Sequence, residues 1–302
     1  MIKLRHILHP FKSATSLYRR AETSIYRSLS DRAVSKIPRR DITRCWCGGS
    51  LKPLAINPQY GVCLECGCYV NLRPPTPESL KGFYSLENYW RLRQKVMGVP
   101  PIEKRAEVYR ADGRLEYWLE LIRRYGPSSG SVVEVGCAPG ILLSELTRSG
   151  YRCVGVEADA SVADWIRQNA KVEVREGIFP GVQLPPCDLL LAFDVAEHTP
   201  EPLAFWKGIA DALAPDGVAI VQTPVERRDY ADPFKTRRDF FDGVEHLYLY
   251  TDMSIRRLTQ LANLELVALE DAIGTLGQVC VLGKRADAPA GQTVAQNRQT
   301  NG

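Results

Sequence analysis

The sequence predicts an α/β protein: a mostly parallel, doubly wound sheet of seven strands with a small cysteine-rich unit in front of it. From about residue 102 onward, apolar strands alternate with amphipathic helices, which is typical of a parallel sheet covered on both faces. Five of the nine cysteines lie between Cys45 and Cys68, in a stretch too small to bury a core of its own. Such a stretch needs disulfide bonds or a bound metal ion to stabilise its fold.

The length and composition are those of a globular protein. The 302 residues are 45% hydrophobic and 25% charged, and this length allows two domains. We find no window apolar enough for a membrane helix and no apolar segment of a secretory signal at the N-terminus. We therefore expect a cytoplasmic protein, in which clustered cysteines bind a metal more readily than they form disulfides.

The two ends of the chain differ from the rest. Residues 1–44 contain eleven Lys and Arg against three Asp and Glu, with a few apolar residues interleaved. We expect a solvated basic arm, and weak contact with an anionic membrane surface or with nucleic acid is the alternative that its charge favours. Residues 285–302 hold almost nothing that could form a core and predict a disordered tail.

The cysteine-rich unit predicts a structural Zn²⁺ site. Cys45 and Cys47 are separated by 15 residues from Cys63 and Cys66, which lets four thiolates converge tetrahedrally on one ion. The first pair is Cys-x-Cys instead of the usual Cys-x-x-Cys, so Cys68 is a competing ligand, and packed free thiols are the alternative to a metal. Four sulfurs leave no open position for a substrate, so the predicted role of the ion is structural.

The second unit reads as seven strands and five helices. A long amphipathic helix over 107–124 comes first. The strands are predicted at 131–135, 152–157, 172–175, 188–193, 218–223, 264–269 and 278–283. The remaining helices are predicted at 141–148, 161–170, 202–213 and 253–261. The last two strands are joined by a short link that suits an antiparallel hairpin.

A glycine-containing turn follows the first of these strands. Its four candidate cofactor-binding residues are Glu134, Gly136, Ala138 and Gly140. Glycine at a strand-to-helix turn lets the backbone approach a ligand closely. The dinucleotide fingerprint requires glycine at 138 and 141, where this chain has Ala138 and Ile141, so NAD and FAD are disfavoured. Glu157 ends the next strand, where a carboxylate accepts hydrogen bonds from both hydroxyls of a ribose.

On these motifs the chain resembles the class I S-adenosylmethionine-dependent methyltransferases over about residues 102–284. The resemblance implies a Rossmann-like fold with S-adenosylmethionine in the 134–140 loop, where Ala138 replaces a common glycine. It also implies cofactor-binding roles for four further residues: Ala158, Gly177 and Ile178 around the adenine, and Asp194 in the fourth-strand motif.

The front half resembles the zinc-ribbon front of bacterial methyltransferases from polysaccharide and sugar-modification gene clusters. The matching stretches are Cys-x-Cys-Gly, residues 60–67, residues 71–78 and Phe83-Tyr84. This resemblance implies a glycan, nucleotide-sugar or related small-molecule acceptor. Sugar C-methyltransferases with a similar front carry a Tyr and an additional His near their Glu-His pair, whereas residues 242–246 keep only Glu-His. We therefore expect methylation of a hydroxyl.

The predicted organisation is then complete. Its five parts are a basic arm (1–44), a zinc ribbon (45–83), a linker (84–101), the methyltransferase domain (102–284) and a tail (285–302).

Two Glu-His pairs supply the candidate catalytic residues. His198 and His246 each follow a Glu, in loops expected to face the cofactor cleft. Removing a proton from an alcohol suits a His with a neighbouring carboxylate. We predict His246 as the general base, oriented by Glu245 or Asp194, because it follows the long 223–244 loop that could cover the acceptor. His198 is the second candidate.

Other functions remain open at this point. The chain could be an RNA methyltransferase, although residues 45–84 have few basic side chains, so a nucleic-acid partner is not expected. It could also be a zinc scaffold that binds the nucleoside without transferring a methyl group. The ubiquinone-pathway O-methyltransferases have a similar Glu-His pair after the strand that corresponds to residues 188–193. That likeness implies a divalent ion at Asp194, Glu197 and His198 as a further alternative.

Overall fold

The computed structural model describes residues 37–55, 57–96, 100–225, 241, 243–272 and 277–285. Most of the predicted basic arm, the predicted tail after residue 285 and most of the 223–244 loop lie outside these residues. Within the described ranges, no helix is both long enough and apolar enough to cross a lipid bilayer.

The cysteine-rich unit forms a small antiparallel sheet. Its first three strands are β1 (Leu51–Pro53), β2 (Tyr60–Cys63) and β3 (Tyr69–Asn71), and its fourth, β9 (Tyr248–Leu249), comes from much later in the chain. β9 pairs with β3 through Tyr69 opposite Leu249 and Val70 opposite Tyr248. The sequence did not predict β9, because a strand of two residues has no periodicity to detect.

The main sheet has seven strands. They are β4 (Ser131–Val135), β5 (Arg152–Glu157), β6 (Glu173–Glu176), β7 (Cys187–Phe193), β8 (Leu213–Pro224), β10 (Leu264–Asp271) and β11 (Gly277–Lys284). Their order is β10-β11-β8-β7-β4-β5-β6, with five parallel strands and an antiparallel β10-β11 hairpin at one edge. The predicted mostly parallel sheet and the predicted hairpin are confirmed.

Eight helices and a short 3-10 helix at Ala196–His198 accompany the two sheets in the described part of the chain. They are α1 (Pro77–Phe83), α2 (π-helical over Leu86–Arg93 and α-helical over Gln94–Val96), α3 (Ile102–Ala111), α4 (Arg114–Tyr125), α5 (Ile141–Arg148), α6 (Ala160–Ala170), α7 (Pro202–Ala212) and α8 (Asp252–Leu261). α2 occupies the stretch predicted as a linker. The single helix predicted over 107–124 is wrong, because Gly113 takes a left-handed conformation (φ +81°) that ends α3 before α4 begins.

Side chains alternate between two buried clusters along the central strands. On β4, Val133 and Val135 belong to one cluster and Val132 to the other, as expected for a sheet covered on both faces. The first cluster also contains the buried Cys45 and Cys66. The cysteine-rich unit therefore packs into the same core as one face of the main sheet.

Candidate active site

A cavity of about 370 Å³ lies at the carboxyl ends of the parallel strands, where open α/β sheets bind ligands. Eight of the nine residues predicted to bind the cofactor line it: Glu134, Gly136, Ala138, Glu157, Ala158, Gly177, Ile178 and Asp194. The ninth, Gly140, is the residue immediately before α5. The loops after four neighbouring strands thus bring together residues that are up to 60 positions apart in the sequence.

Gly136 and Gly140 are required by the geometry of the loop after β4. Gly136 has φ +67°, and a Cβ there would lie 2.5 Å from Cγ2 of Val195. Gly140 has φ +82°, and a Cβ there would lie 2.6 Å from Cγ2 of Ile166. Both positions therefore exclude a side chain, whereas the methyl group of Ala138 is accommodated in the cavity wall.

Two buried carboxyl groups stand at the ends of β4 and β5. Oε1 of Glu157 accepts hydrogen bonds from the backbone amides of Ala158 (2.9 Å) and Asp159 (3.4 Å), and burial raises the pKa of Glu157 to about 7. Burial, and then the charge of Glu157, raise the pKa of Glu134 well above its usual value. Oε2 of Glu134 has no hydrogen-bond partner among the described residues. This end of the cavity is therefore suited to a ligand rich in hydrogen-bond donors.

Asp194 follows β7 in a strained backbone conformation. Its φ is +55°, unusual for a residue with a side chain and typical of functional sites. Nε2 of Gln222 donates to its Oδ1 (3.1 Å), and Nε1 of Trp118 donates to Oε1 of Gln222 (3.2 Å). Burial raises the pKa of Asp194. The sequence did not reveal the roles of Gln222 and Trp118, which only the packing of α4 on β8 brings together.

His198 lies in the cavity wall with one ring nitrogen fixed by the backbone. Its Nδ1 is 2.7 Å from the carbonyl oxygen of Glu245 and 3.1 Å from the hydroxyl oxygen of Tyr84. A carbonyl oxygen can only accept, so Nδ1 carries the proton in the neutral ring, and Nε2 keeps its lone pair. Nε2 lies 3.6 Å from Oε1 of Glu197.

Glu197 is a buried carboxyl group behind His198. Its side chain is 1% exposed, and the hydroxyl of Thr223 donates to its Oε2 at 2.9 Å. Burial, and then the negative charge of Asp194, raise the pKa of Glu197 to about 8. At neutral pH the protonated form therefore predominates, next to the unprotonated nitrogen of His198.

His246 and Glu245, the first candidates for catalysis, are not among the residues that line the cavity. The ring of His246 lies next to that of His198, with 5.2 Å between the ring centroids. Arg93 donates to Oε1 of Glu245 at 2.5 Å, and the hydroxyl of Tyr89 donates to Oε2 at 3.2 Å, so this carboxylate binds α2. Their predicted catalytic roles stay predictions.

Glu197, His198 and His246 also form a possible metal-binding group. One ligand atom from each lies within 4.8 Å of the others. The divalent-ion alternative raised by the sequence named Asp194 with Glu197 and His198. In the structure, His246 takes the third place in this group.

The cavity has further walls that the sequence did not predict. These walls come from the turn after α1 and from α2, α3 and α4, and they are formed by Tyr84, Tyr89, Trp90, Arg105, Tyr109 and Arg114. Arg114 forms two hydrogen bonds with one carboxylate oxygen of Asp112 (2.9 and 2.6 Å) and lies over the ring of Tyr109, 4.2 Å from its centroid. These helices precede the motif-bearing strands, and nothing in their spacing distinguishes a cavity wall from an ordinary amphipathic face.

The four predicted zinc ligands come together. The sulfurs of Cys45 and Cys66 are 3.6 Å apart, those of Cys47 and Cys63 are 3.5 Å apart, and all four lie within 4.8 Å of one another. Zn–S bonds of about 2.3 Å in a tetrahedron place sulfurs about 3.8 Å apart, so the group fits a zinc ion. Cys68 lies outside the group, with its sulfur 3.5 Å from the carbonyl oxygen of Leu249.

A family model described as a methyltransferase domain matches residues 109–269. The mitochondrial ubiquinone biosynthesis O-methyltransferase of Schizosaccharomyces pombe is 26% identical over 120 residues, which are 36% of this chain and 44% of that protein. The ubiquinone biosynthesis O-methyltransferase of Xylella fastidiosa (strain M23) is 27% identical over 125 residues, which are 36% of this chain and 47% of that protein. The chain spans about half the length of the curated relatives it matches.

Among solved structures, the PH0226 protein from Pyrococcus horikoshii OT3 aligns with a TM-score of 0.47 and 20% sequence identity, over 59% of this chain and 91% of that one. The matched family model spans more than half of the present chain and contains the loop after β4, the acid after β5 and the Glu-His turn after β7. The chain therefore belongs to the methyltransferase-domain family.

Proposed function

We propose that this protein transfers the methyl group of S-adenosylmethionine to a hydroxyl of a small polar acceptor, with His198 as the general base. The observation that carries the proposal is the position of His198. Its side chain lines the cavity, and the carbonyl of Glu245 holds the proton on Nδ1, which leaves Nε2 ready to accept one.

The surroundings of His198 support this role. Bound S-adenosylmethionine supplies a methyl group already activated by the sulfonium. Nε2 takes the proton of the acceptor hydroxyl as the oxygen attacks, and the resulting imidazolium lies beside Glu197, Oε1 of which is 3.6 Å from Nε2. Because the pKa of Glu197 is raised to about 8, the carboxyl group can release its own proton when a positive charge appears next to it.

We further propose that the acceptor is a sugar or a glycan precursor. The resemblance of the cysteine-rich front to that of sugar-modifying methyltransferases supports this acceptor class. Tyr84 and Tyr89 line the cavity near His198 and Glu245, and aromatic rings with hydroxyl groups pack against sugar rings while hydrogen-bonding to their substituents. The names of the curated relatives support O-methylation of a small molecule.

The experiment is a methyl-transfer assay with labelled S-adenosylmethionine. Pools of nucleotide sugars, of phenolic compounds and of RNA are offered separately, and products are identified by mass spectrometry. We expect a methyl ether in the sugar pool with the wild-type protein and a rate at least about 100-fold lower with His198→Ala. Transfer only to phenols or only to RNA would contradict the acceptor class and leave the base assignment intact.

Addition of EDTA tests whether Glu197, His198 and His246 bind a metal ion or whether His198 acts as a general base without one. Unchanged transfer after chelation agrees with His198 as a general base. Loss of transfer that a divalent cation restores, with the zinc content of the cysteine group unchanged throughout, would assign the three residues to a metal ion instead.

A further inference from the structure

A buried ion pair joins α2 to the loop that contains His246. Nε of Arg93, the last residue of the π-helical part of α2, donates to Oε1 of Glu245 at 2.5 Å. The two side chains are only 11% and 9% exposed. The hydroxyl of Tyr89, four residues earlier on α2, donates to the other carboxylate oxygen at 3.2 Å. Removing one member of a buried ion pair is costly, because the charge of the other member is then no longer balanced.

The backbone of Glu245 belongs to the site at the same time. Its carbonyl oxygen is 2.7 Å from Nδ1 of His198 and determines that this nitrogen carries the proton. Glu245 is 7% exposed, and in such a closely packed position the carboxylate cannot move far without carrying its own backbone with it. One residue thus binds α2 through its side chain and His198 through its carbonyl.

α2 is a wall of the cavity as well as the partner of this loop. Tyr89 and Trp90 line the cavity. Hydrogen bonds to Glu103 and from Arg105 connect α2 to α3, whereas the bonds to Glu245 connect it to the loop before β9. The ion pair therefore fixes the wall and the loop relative to each other.

We propose that Arg93 is a positioning residue for His198. Its ion pair with Glu245 holds the carbonyl of Glu245 against Nδ1, so that the proton stays on Nδ1 while α2 is in place. Arg93 is not among the residues that line the cavity, so it acts through Glu245 and not on a ligand. The consequence for methyl transfer rests on the proposed role of His198 as the base, whereas the position of the proton does not.

The experiment distinguishes charge balance from simple packing. The variants are Arg93→Gln, Arg93→Lys, the double variant Arg93→Gln with Glu245→Gln, and the control Arg91→Gln. Arg91 lies on the same helix, but its side chain is 41% exposed and its ion pairs are on the surface. Hydrogen exchange followed by mass spectrometry measures the opening of α2, and nitrogen NMR shows which nitrogen of His198 is protonated. Neither measurement needs a cofactor or an acceptor.

We expect Arg93→Gln to accelerate exchange of the α2 amides by about 10- to 100-fold, as for the loss of one hydrogen bond between charged groups, and to shift part of the His198 proton from Nδ1 to Nε2. Arg93→Lys keeps the charge and should change both signals less. The double variant replaces both charges of the pair with neutral amides, so it should recover most of the wild-type His198 signal. Arg91→Gln should change neither signal.

The His198 signal decides the outcome. An unchanged signal in a folded Arg93→Gln protein, with or without faster exchange in α2, would overturn the proposal. A double variant that departs further from the wild type than Arg93→Gln would also overturn it, because packing and not charge would then carry the effect. If Arg93→Gln does not fold, as judged by thermal melting, Arg93→Lys and the double variant decide by the same signals. A kcat unaffected by His198→Ala would contradict the proposed function, and the position of the His198 proton would still test Arg93.

Discussion

The hydroxyl of Tyr60 donates a hydrogen bond to the backbone carbonyl of His246 at 2.7 Å and accepts one from the amide of Gly243 at 3.1 Å. Tyr60 lies on β2 and is completely buried. The loop that it holds also presents the carbonyl of Glu245 to Nδ1 of His198. The cysteine-rich sheet therefore supports the backbone that determines which nitrogen of His198 is protonated.

Replacing Tyr60 with Phe should disturb His198 without preventing cofactor binding. The variant loses the bridge between Gly243 and His246, which we expect to cost about 1–3 kcal/mol of stability because two buried backbone groups lose a partner. Nitrogen NMR of the imidazole rings should show that the proton is less strictly confined to Nδ1 of His198.

A matched control for Tyr60→Phe exists on the far side of the fold. Tyr151 donates a hydrogen bond of 2.7 Å to the carbonyl of Pro127, so Tyr151→Phe loses a similar bond away from the loop. We expect a smaller loss of stability, because one hydrogen bond is lost instead of two, and an unchanged His198 spectrum. Identical His198 signals in both variants would show that Tyr60 contributes only stability.

The cysteine group should bind one zinc ion per chain. Metal analysis of protein purified without added zinc is expected to find about one equivalent, and Cys66→Ser should lose it. Cys68→Ser is the informative comparison, because Cys68 is buried nearby but lies outside the group of four sulfurs. Zinc lost from Cys68→Ser and kept by Cys66→Ser would reverse the ligand assignment, and a folded protein without metal would refute the site.

Glu157 should make cofactor binding depend on pH. Burial raises its pKa to about 7, and ribose hydroxyls donate to its ionised form, so binding favours loss of the proton. The affinity for S-adenosylhomocysteine is expected to rise between pH 6 and pH 8 as deprotonation becomes easier. Glu157→Gln should weaken binding by about 10-fold or more at pH 8 and remove most of this rise. Titration calorimetry in two buffers with different heats of ionisation checks the proton release.

The main sheet and the cofactor loop were predictable because their signals are local. β4, β5 and α5 have the predicted bounds, since an apolar run followed by a glycine turn and a periodic helix leaves little choice. The break at Gly113 was missed because one glycine inside a helical pattern is compatible with a continuous helix.

The cavity walls outside the strand-end motifs were less predictable, because distant segments build them. Arg105 and Tyr89 come from helices near the predicted linker and reach the cavity only through tertiary packing. β9 exists because the cysteine-rich sheet offers the edge of β3 as a partner, and no local preference of Tyr248 and Leu249 indicates it. Sequence patterns locate the residues at the ends of the strands, but they do not show which helices pack over those ends.

Glu197 should make the folded protein less stable as the pH rises towards 8. Its pKa in the folded state is raised to about 8, so the folded protein binds more protons than the unfolded chain at neutral pH. Its stabilising contribution is complete at pH values below the ordinary pKa of a glutamate and is lost as the pH rises through 8. The slope approaches about 1.4 kcal/mol per pH unit for one proton.

Glu197→Gln should therefore flatten the pH dependence of stability. Urea unfolding at pH 5.5, 6.5 and 7.5 measures the slope, and Glu201→Gln, at a neighbouring position with a 75% exposed side chain, should keep the wild-type value. A slope that is the same in Glu197→Gln and the wild type would contradict a protonated Glu197.

The two histidines should differ in their effect on turnover. His198→Ala removes the ring that lines the cavity and is expected to lower kcat by about 10²–10⁴, while the affinity for S-adenosylhomocysteine stays within about 2-fold. His246→Ala removes the neighbouring ring, 5.2 Å away between centroids and not part of the cavity lining, and should lower kcat less, because the carbonyl of Glu245 still fixes Nδ1 of His198. The measurement is the initial rate of methyl transfer with a saturating acceptor.

The pH profile separates a base from a group that only shapes the cavity. If His198 accepts the proton, kcat of the wild-type protein falls at low pH as Nε2 becomes protonated, and His198→Ala loses this acidic limb. His246→Ala should keep the limb, since Nε2 of His198 still lies beside Glu197. The opposite pattern, with the limb lost only in His246→Ala, would return the role of base to His246 as the sequence predicts. Near-normal kcat in both variants would mean that positioning alone carries the reaction and that the acceptor needs no protein base.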